Sequence, residues 1–192
     1  MRVAVSGTHC SGKSTLIDAF LSTRSEFAHE PEPYEALSDS YGEGFGAEPS
    51  AEDFLRQLEY QIERLHRYHP GDSVIFERSP VDFLAYLLAL DDLRRDTADA
   101  ALSKRAVSVA GNAVALLDLI VYLPAANVPA PESEDPKLRS AMEARLERIL
   151  LDDEFDMFTH DRPSILELAG PKAQRLRRLE AALTSQLTKD SP

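Results

Sequence analysis

The stretch GTHCSGKST (Gly7–Thr15) follows directly on a short apolar run near the start of the chain. Gly7 and Gly12 are separated by four residues, and Lys13 and Ser14 follow at once, which is the spacing of a phosphate-binding loop. The glycines let the backbone approach a phosphate closely, and successive N–H groups face the anion at the start of a helix. The apolar run before the loop and the amphipathic pattern after it are typical of the strand and helix that flank such loops. The stretch therefore predicts a nucleotide site.

The side chains of this loop have separable roles. We expect Lys13 to reach the terminal phosphates and the Ser14 hydroxyl to help hold Mg²⁺. Cys10 is the only cysteine of the chain; its thiol could be catalytic, but a small residue whose backbone binds phosphate is the favoured interpretation. The predicted nucleotide-binding residues of the loop are Gly7, His9, Cys10, Ser11, Gly12, Lys13, Ser14 and Thr15.

Length and charge narrow the class of protein. A chain of 192 residues with 43% apolar residues suits a single α/β domain over residues 1–192. A net charge of −12 argues against binding of nucleic-acid polymers, since that needs clustered Lys and Arg. No apolar run approaches the roughly 20 residues that span a bilayer, and the chain starts without an export-signal pattern. A lone cysteine suits a reducing compartment, so we expect a cytoplasmic protein without a membrane partner.

Short apolar segments alternate with helical patterns along the chain. The predicted strands are Arg2–Ser6, Phe27–His29, Ser73–Glu77, Leu119–Leu123 and Ser164–Leu168. The predicted helices are Ser14–Thr23, Ala51–Tyr68, Val81–Leu90, Thr97–Leu117 and Ala173–Leu187. This alternation predicts an α/β fold, a three-layer αβα sandwich around a five-stranded parallel sheet, whose sites gather at the carboxyl ends of the strands.

Two segments depart from this alternation. Tyr34–Ser50 carries three glycines and little periodicity, which predicts a mobile loop. Pro124–Leu151 starts with several prolines and becomes a helix with Arg139, Arg145 and Arg148. Proline-rich linkers are often only spacers, but we interpret this segment as a lid whose arginines reach a common site.

Carboxylates follow the second and third predicted strands. Glu30 and Glu32 come after the second strand, and Glu77, Arg78 and Asp82 come after the third. Around bound phosphate, one carboxylate could coordinate Mg²⁺, a second could take a proton from a hydroxyl group, and an arginine could neutralise phosphoryl charge. The Glu-Pro turn could instead be a solvated turn, and either glutamate could be the base. Asp82 could equally cap the helix that follows.

With these motifs the chain resembles the nucleoside and deoxynucleoside kinase branch of the P-loop kinases, in GTHCSGKST, in EP and in ERSPVD. It also resembles nicotinamide-riboside-kinase-like AAA-type ATPase domains, which have a similar RSPxD-x-LAY stretch. The resemblance implies a P-loop NTPase fold with a helical lid, and ATP and Mg²⁺ as cofactors. By position it implies that Glu32 is the general base, that Glu77 lies beside the magnesium, that Arg78 binds phosphate, and that Arg139 and Arg145 are lid arginines.

The same resemblance extends to the two ends of the expected site. The segment ILELAGPKAQRL is similar to the strand, loop and helix that pack on adenine, which implies roles for Gly170, Pro171 and Arg175. In the kinases that the chain resembles, a glutamine on the helix that corresponds to Ala51–Tyr68 reads the base. Gln57 and Gln61 share a face of this helix, so either could serve here, and the alternative for each is exposure to solvent. The implied acceptor-binding residues are Glu32, Gln57, Gln61, Arg78 and Asp82.

These inferences predict an ATP- and Mg²⁺-dependent kinase that phosphorylates a hydroxyl group of a small molecule, a nucleoside or a related metabolite. A homodimer is compatible with the sequence. Two alternatives stay open: a regulatory NTP-binding switch, and an assembly-bound NTPase that hydrolyses ATP without a small acceptor. The chain lacks a guanine-reading N-K-x-D sequence, and its five histidines lack zinc-binding spacing, so we predict no zinc site.

Overall fold

The computed structural model describes residues 1–41, 50–95, 100–125, 135–158 and 163–189. These residues form five strands, β1 (Arg2–Ser6), β2 (Ala28–Glu30), β3 (Val74–Glu77), β4 (Leu119–Tyr122) and β5 (Ser164–Glu167). The helices of the same ranges are α1 (Lys13–Leu21), α2 (Pro33–Tyr41), α3 (Ala51–His66), α4 (Pro80–Asp92), α5 (Ala100–Val114), α6 (Pro136–Asp152) and α7 (Lys172–Lys189).

The five strands form one parallel sheet with the order β2-β3-β1-β4-β5. β1 is central and fully buried, and its Val5 lies opposite Glu77 of β3 and Val121 of β4. Because the carboxyl ends of parallel strands lie along one edge of the sheet, the phosphate loop, Glu77 and the end of β2 meet there. The predicted α/β class with a five-stranded parallel sheet is confirmed.

Alternate residues of the strands face two separate hydrophobic cores, as the period of two in a strand requires. Ala4, Phe76 and Ile120 face the layer formed by α3, α4, α5 and α6. Val5 and Ile75 face the layer formed by α1 and α7. The sheet is therefore the middle layer of three.

One predicted loop contains a helix. The segment Tyr34–Ser50 was expected to be a mobile loop, but its first part is α2, Pro33–Tyr41. Proline is well suited to the first turn of a helix, and Leu37 is buried, so the helix has both a start and an apolar contact. The three glycines that suggested a loop all follow Tyr41, and residues 42–49 lie outside the described part of the chain.

The segment interpreted as a lid forms a long helix that packs on the core. Its proline-rich residues 126–134 lie outside the described residues, and α6 begins where Asp135 accepts hydrogen bonds from the N–H groups of Lys137 and Leu138. Leu138, Met142 and other apolar residues of α6 are buried against α4. In this conformation α6 belongs to the helical layer, and its movement as a lid stays a prediction.

No helix within the described ranges is both long enough and apolar enough to cross a membrane.

Candidate active site

The phosphate loop has a shape that only glycine permits at its two ends. Gly7 has a φ of +149°, and a Cβ built there would lie 2.5 Å from the carbonyl oxygen of Leu123 and 2.7 Å from Ser11 Oγ. Gly12 has a φ of +93° at the start of α1, in the region that side-chain-bearing residues rarely adopt. The loop is thus a cradle whose backbone N–H groups can approach a phosphate, as a nucleotide site requires.

Lys13 brings a buried positive charge to this cradle. It is 4% exposed, and its Nζ donates a hydrogen bond to the carbonyl oxygen of Thr8 at 3.0 Å. Burial and, next, the like charge of Arg78 lower the pKa of Lys13 to about 8, although nearby carboxylates, Glu32 first among them, oppose the shift. An anionic phosphate would stabilise this charge, so the residue fits the role predicted for it.

Ser14 and Glu77 form a pair of oxygen ligands beside the loop. The Ser14 hydroxyl donates a hydrogen bond to Glu77 Oε1 at 2.9 Å, although the two residues are 63 positions apart. Burial raises the pKa of Glu77, and the hydrogen bond from Ser14 opposes this. Mg²⁺ prefers oxygen ligands and keeps several waters, so one carboxylate and one hydroxyl beside phosphates suit it. No group of three or more His, Cys, Asp or Glu side chains within the described ranges could hold a metal.

Arg78 lies between the loop and the end of β2. Its Nε donates a hydrogen bond to Glu32, and its Nη1 donates one to the carbonyl oxygen of Gly7 at 3.2 Å. Arg78 is 3% exposed and has a φ of +69°, a conformation that costs a non-glycine residue on the order of 1–3 kcal/mol. Gln61 compensates in part, because its Nε2 donates a hydrogen bond to the Arg78 carbonyl oxygen.

The two glutamates after β2 have different partners. Glu32 pairs with Arg78, whereas Glu30 pairs with Arg64, Nε to Oε2 at 2.7 Å, and accepts a hydrogen bond from the Tyr68 hydroxyl at 2.6 Å. Burial alone would raise the pKa of Glu32, but the charges of Arg78 and Lys13 and the hydrogen bond from Arg78 outweigh burial and lower it. Glu32 is therefore held as a carboxylate beside the loop, the form that can accept a proton.

Asp82 links the phosphate loop to the start of α4. It is fully buried; its Oδ2 accepts hydrogen bonds from the N–H and the hydroxyl of Ser79, both at 2.9 Å, and its Oδ1 accepts one from the N–H of Gly7 at 3.0 Å. Ser79 and Asp82 thus form a capping box at the start of α4. Both carboxylate oxygens of Asp82 accept hydrogen bonds from the protein in this structure, which matches the capping alternative. The contact of Asp82 with an acceptor stays a prediction.

The two glutamines of α3 are both buried, so the alternative of solvent exposure is wrong. Gln57 is 6% exposed and its Nε2 donates a hydrogen bond to the carbonyl oxygen of Asp53 in its own helix, at 3.3 Å. Gln61 is fully buried, and its Oε1 has no hydrogen-bond partner among the described residues. Gln61 lies against the backbone of Arg78, at the edge where the site residues meet. Contact of either glutamine with an acceptor stays a prediction.

A cavity of about 230 Å³ opens on the other side of the loop. It is lined by Cys10, Ser11, Gly12, Thr15, Leu16, Gly170, Lys172 and Arg175. Arg175 Nη1 donates a hydrogen bond to the Ser11 carbonyl oxygen at 2.8 Å, which ties the first turns of α7 to the loop. Gly170 and Arg175, two residues implied to lie at the adenine, thus border the phosphate loop. Pro171, the third, is exposed and lies outside the cavity lining.

The sequence profile of a family described as "AAA domain" matches residues 2–165, most of the chain. The chain belongs to this AAA domain family. In the AAA domain described here, α7 and its Arg175 lie beyond the matched residues. No curated protein matches the sequence.

Solved structures show which fold this AAA domain has. The structure of a deoxyadenosine kinase from M. mycoides with the products dCMP and a flexible dCDP bound has a TM-score of 0.65 at 15% identity, over 96% of this chain and 100% of that chain. A NadR protein in complex with NR has a TM-score of 0.68 at 17% identity, over 96% of this chain and 50% of that one. The chain thus spans half the length of NadR. These likenesses confirm a P-loop fold of the nucleoside-kinase type.

The arginines of α6 do not converge in this conformation of the AAA domain. Arg145 pairs with Asp92, Nε to Oδ2 at 2.6 Å, and with Glu154 at 3.1 Å, and Arg148 also pairs with Glu154. Asp92 ends α4, about 18 Å along the helix axis from the end that carries Asp82. In this conformation Arg145 lies on a different face of α6 from Arg139, because the two residues are about 120° apart around the helix axis. Convergence of Arg139, Arg145 and Arg148 on one site stays a prediction. A catalytic role for the buried Arg139 stays a prediction.

Two contributors to this AAA domain's site were not predicted. Ser79 caps α4 and accepts a hydrogen bond from the Ser6 hydroxyl at 2.7 Å, which joins the ends of β1 and β3. The S-x-x-D spacing of Ser79 and Asp82 was a readable signal for this cap. Lys172 lines the cavity beside Arg175, and its position directly after Gly170 and Pro171 was the available signal.

Proposed function

We propose that the protein is an ATP- and Mg²⁺-dependent phosphotransferase that moves the γ-phosphate of ATP to a hydroxyl group of a nucleoside or a related metabolite. The observation that carries the proposal is the ion pair of Glu32 with the buried Arg78, which extends from the end of β2 to the first glycine of the phosphate loop. A switch protein that only hydrolyses the nucleotide would not need such a pair on the acceptor side of the loop. The nucleoside class is supported by the folds of deoxyadenosine kinase and NadR.

The donor side of the site would hold the nucleotide and the metal. The loop N–H groups and Lys13 bind the phosphates, and Arg175 borders the cavity that would take the base. Ser14 and Glu77, already joined by a hydrogen bond, would hold Mg²⁺. When bound, Mg²⁺ supplies positive charge that stabilises the phosphoryl group during transfer.

On the acceptor side, Glu32 takes the proton of the acceptor hydroxyl while the hydroxyl oxygen bonds to the γ-phosphorus. The bond from phosphorus to the oxygen that bridges the β- and γ-phosphates breaks, and ADP leaves with those electrons. Arg78 contacts both Glu32 and the loop, so its charge lies where negative charge develops. The lowered pKa of Glu32 keeps it deprotonated at neutral pH.

Replacement of Glu32 by glutamine tests the general base. General-base catalysis contributes roughly a hundred- to ten-thousandfold, so Glu32→Gln should lower acceptor phosphorylation by that order and leave ATP affinity almost unchanged. Glu35→Gln is the matched control, since Glu35 is an exposed carboxylate of α2. Equal turnover of Glu32→Gln and the parent would exclude this mechanism.

An ADP-release screen across nucleosides, nucleoside monophosphates and amino sugars would identify the acceptor. Release that rises with one small hydroxyl compound, together with a phosphorylated product in the mass spectrum, is the expected result. Release that responds to a protein and to none of these compounds would favour a regulatory NTPase instead.

A further inference from the structure

Two side chains outside the proposed reaction, Arg64 and Tyr68, hold the segment that carries Glu32. Arg64 of α3 is fully buried; its Nε donates a hydrogen bond to Glu30 Oε2 at 2.7 Å, and its Nη1 donates one to the carbonyl oxygen of Pro31 at 2.7 Å. The Tyr68 hydroxyl donates a hydrogen bond to Glu30 Oε1 at 2.6 Å. The side chain of Glu30 and the peptide group directly before Glu32 are therefore both held from α3.

The same helix also holds the partner of Glu32. Gln61 lies three residues before Arg64, on the same side of α3, and donates a hydrogen bond to the Arg78 carbonyl oxygen. The Glu32–Arg78 ion pair joins these two attachments. The result is a closed ring of contacts in which one helix fixes the backbone on both sides of the ion pair.

The cost of this arrangement argues for a purpose beyond packing. A fully buried guanidinium needs compensation for lost hydration, and well-packed apolar residues often replace buried ion pairs with no loss of stability. Arg64 nevertheless lies under the turn before Glu32, and its Nη2 has no hydrogen-bond partner among the described residues. Unlike apolar packing, Arg64 makes directional hydrogen bonds, and these fix the positions of the Pro31 carbonyl and the Glu30 side chain.

We propose that Arg64, together with Glu30 and Tyr68, is a positioning residue that holds the Glu32 carboxylate against Arg78. This inference rests on the proposed role of Glu32 as the general base. Arg64 itself does not contact Glu32, so it acts through the backbone of the segment. A displacement of about 1 Å at a reacting group can lower the rate on the order of a hundredfold, so the hold has a measurable consequence.

The test uses a variant without an unpaired buried charge. In Glu30→Gln/Arg64→Met both charges are removed, and a folded protein is expected. Its kcat for acceptor phosphorylation should fall about 10- to 100-fold, while its KM for ATP stays within about twofold of the parent value. The single variant Arg64→Lys keeps the charge but cannot bond both Glu30 and Pro31 at once. Its kcat should therefore lie between that of the double variant and that of the parent. Tyr68→Phe should give a smaller loss than the double variant.

The carboxyl pKa of Glu32, measured by ¹³C NMR titration, separates positioning from general stability. Arg78, Lys13, His9 and Glu77 are the charged or titratable groups that face Glu32, and Arg78 lowers its pKa most. If the Arg64 contacts hold Glu32 against Arg78, the pKa in the double variant should rise toward the ordinary glutamate value. The acid limb of kcat/KM should then move to higher pH.

An unchanged Glu32 pKa in the folded double variant would overturn the proposal, and so would an unchanged kcat. The NMR titration does not depend on catalysis. If no acceptor were phosphorylated by the parent protein, the proposed function would fail, and the titration would still show whether Arg64 holds the Glu32–Arg78 pair.

Discussion

Replacement of Asp82 by asparagine should destabilise the protein, because the Asp82 carboxylate ties the phosphate loop to the start of α4. One oxygen accepts the N–H of Gly7 at 3.0 Å, and the other accepts the N–H and hydroxyl of Ser79 at 2.9 Å. Arg78 Nη1 lies 3.5 Å from the first oxygen. An asparagine side chain has the same shape but only one oxygen, so its NH₂ group must face either Gly7 or Ser79.

The expected loss of stability follows from the hydrogen bond that the asparagine amide cannot accept. One hydrogen bond to a charged acceptor is lost, worth roughly 1.5–3 kcal/mol, and a buried N–H loses its acceptor, which costs roughly 1–3 kcal/mol. Because Asp82 is fully buried, water cannot replace the lost partner. We expect the free energy of unfolding to fall by about 3–5 kcal/mol, within the range for a broken buried ion pair.

Urea unfolding followed by far-UV circular dichroism measures this change. Asp92→Asn is the matched control, since Asp92 ends the same helix and has 42% of its side chain exposed in its pair with Arg145. An exposed pair contributes about 1 kcal/mol or less, so the control should change little. If Asp82→Asn loses no more stability than Asp92→Asn, Asp82 does not anchor the loop.

Three other results are expected. Lys13→Met should lower turnover by about a hundredfold or more, since a lost transition-state contact of this kind costs about 2.7–4 kcal/mol; unchanged turnover in the folded variant would contradict the proposed site. ATP affinity of the parent, measured by calorimetry from about pH 7.5 to 9.5, should fall as the pH passes about 8, because Lys13 loses its proton there. Lys13→Met should lack this step. Glu77→Gln should raise the Mg²⁺ concentration needed for half-maximal activity; if its metal titration superimposes on that of the parent, Glu77 is structural.

Local patterns in the sequence were enough to predict most of the fold. The strand Arg2–Ser6 was predicted with the bounds that β1 has, because a short apolar run directly before a phosphate loop has few alternatives. The helix α2 was not predicted. Its nine residues have weak helical periodicity, and the glycines that follow them made the whole segment resemble a loop. That helix buries Leu37, and burial is a tertiary feature that no local pattern reports.

The sequence by itself determined the phosphate loop and the alternation of strands with helices, apart from α2, since these depend on residues close together in the chain. Only the tertiary structure decided what the polar side chains do. Asp82 reaches Gly7 across 75 positions and Gln61 reaches Arg78 across 17, whereas Arg145 pairs with Asp92, 53 positions away, instead of joining the site. The choice among such partners depends on how the helices pack on the sheet, because a buried charge takes whichever opposite charge or dipole the packing brings within hydrogen-bond distance.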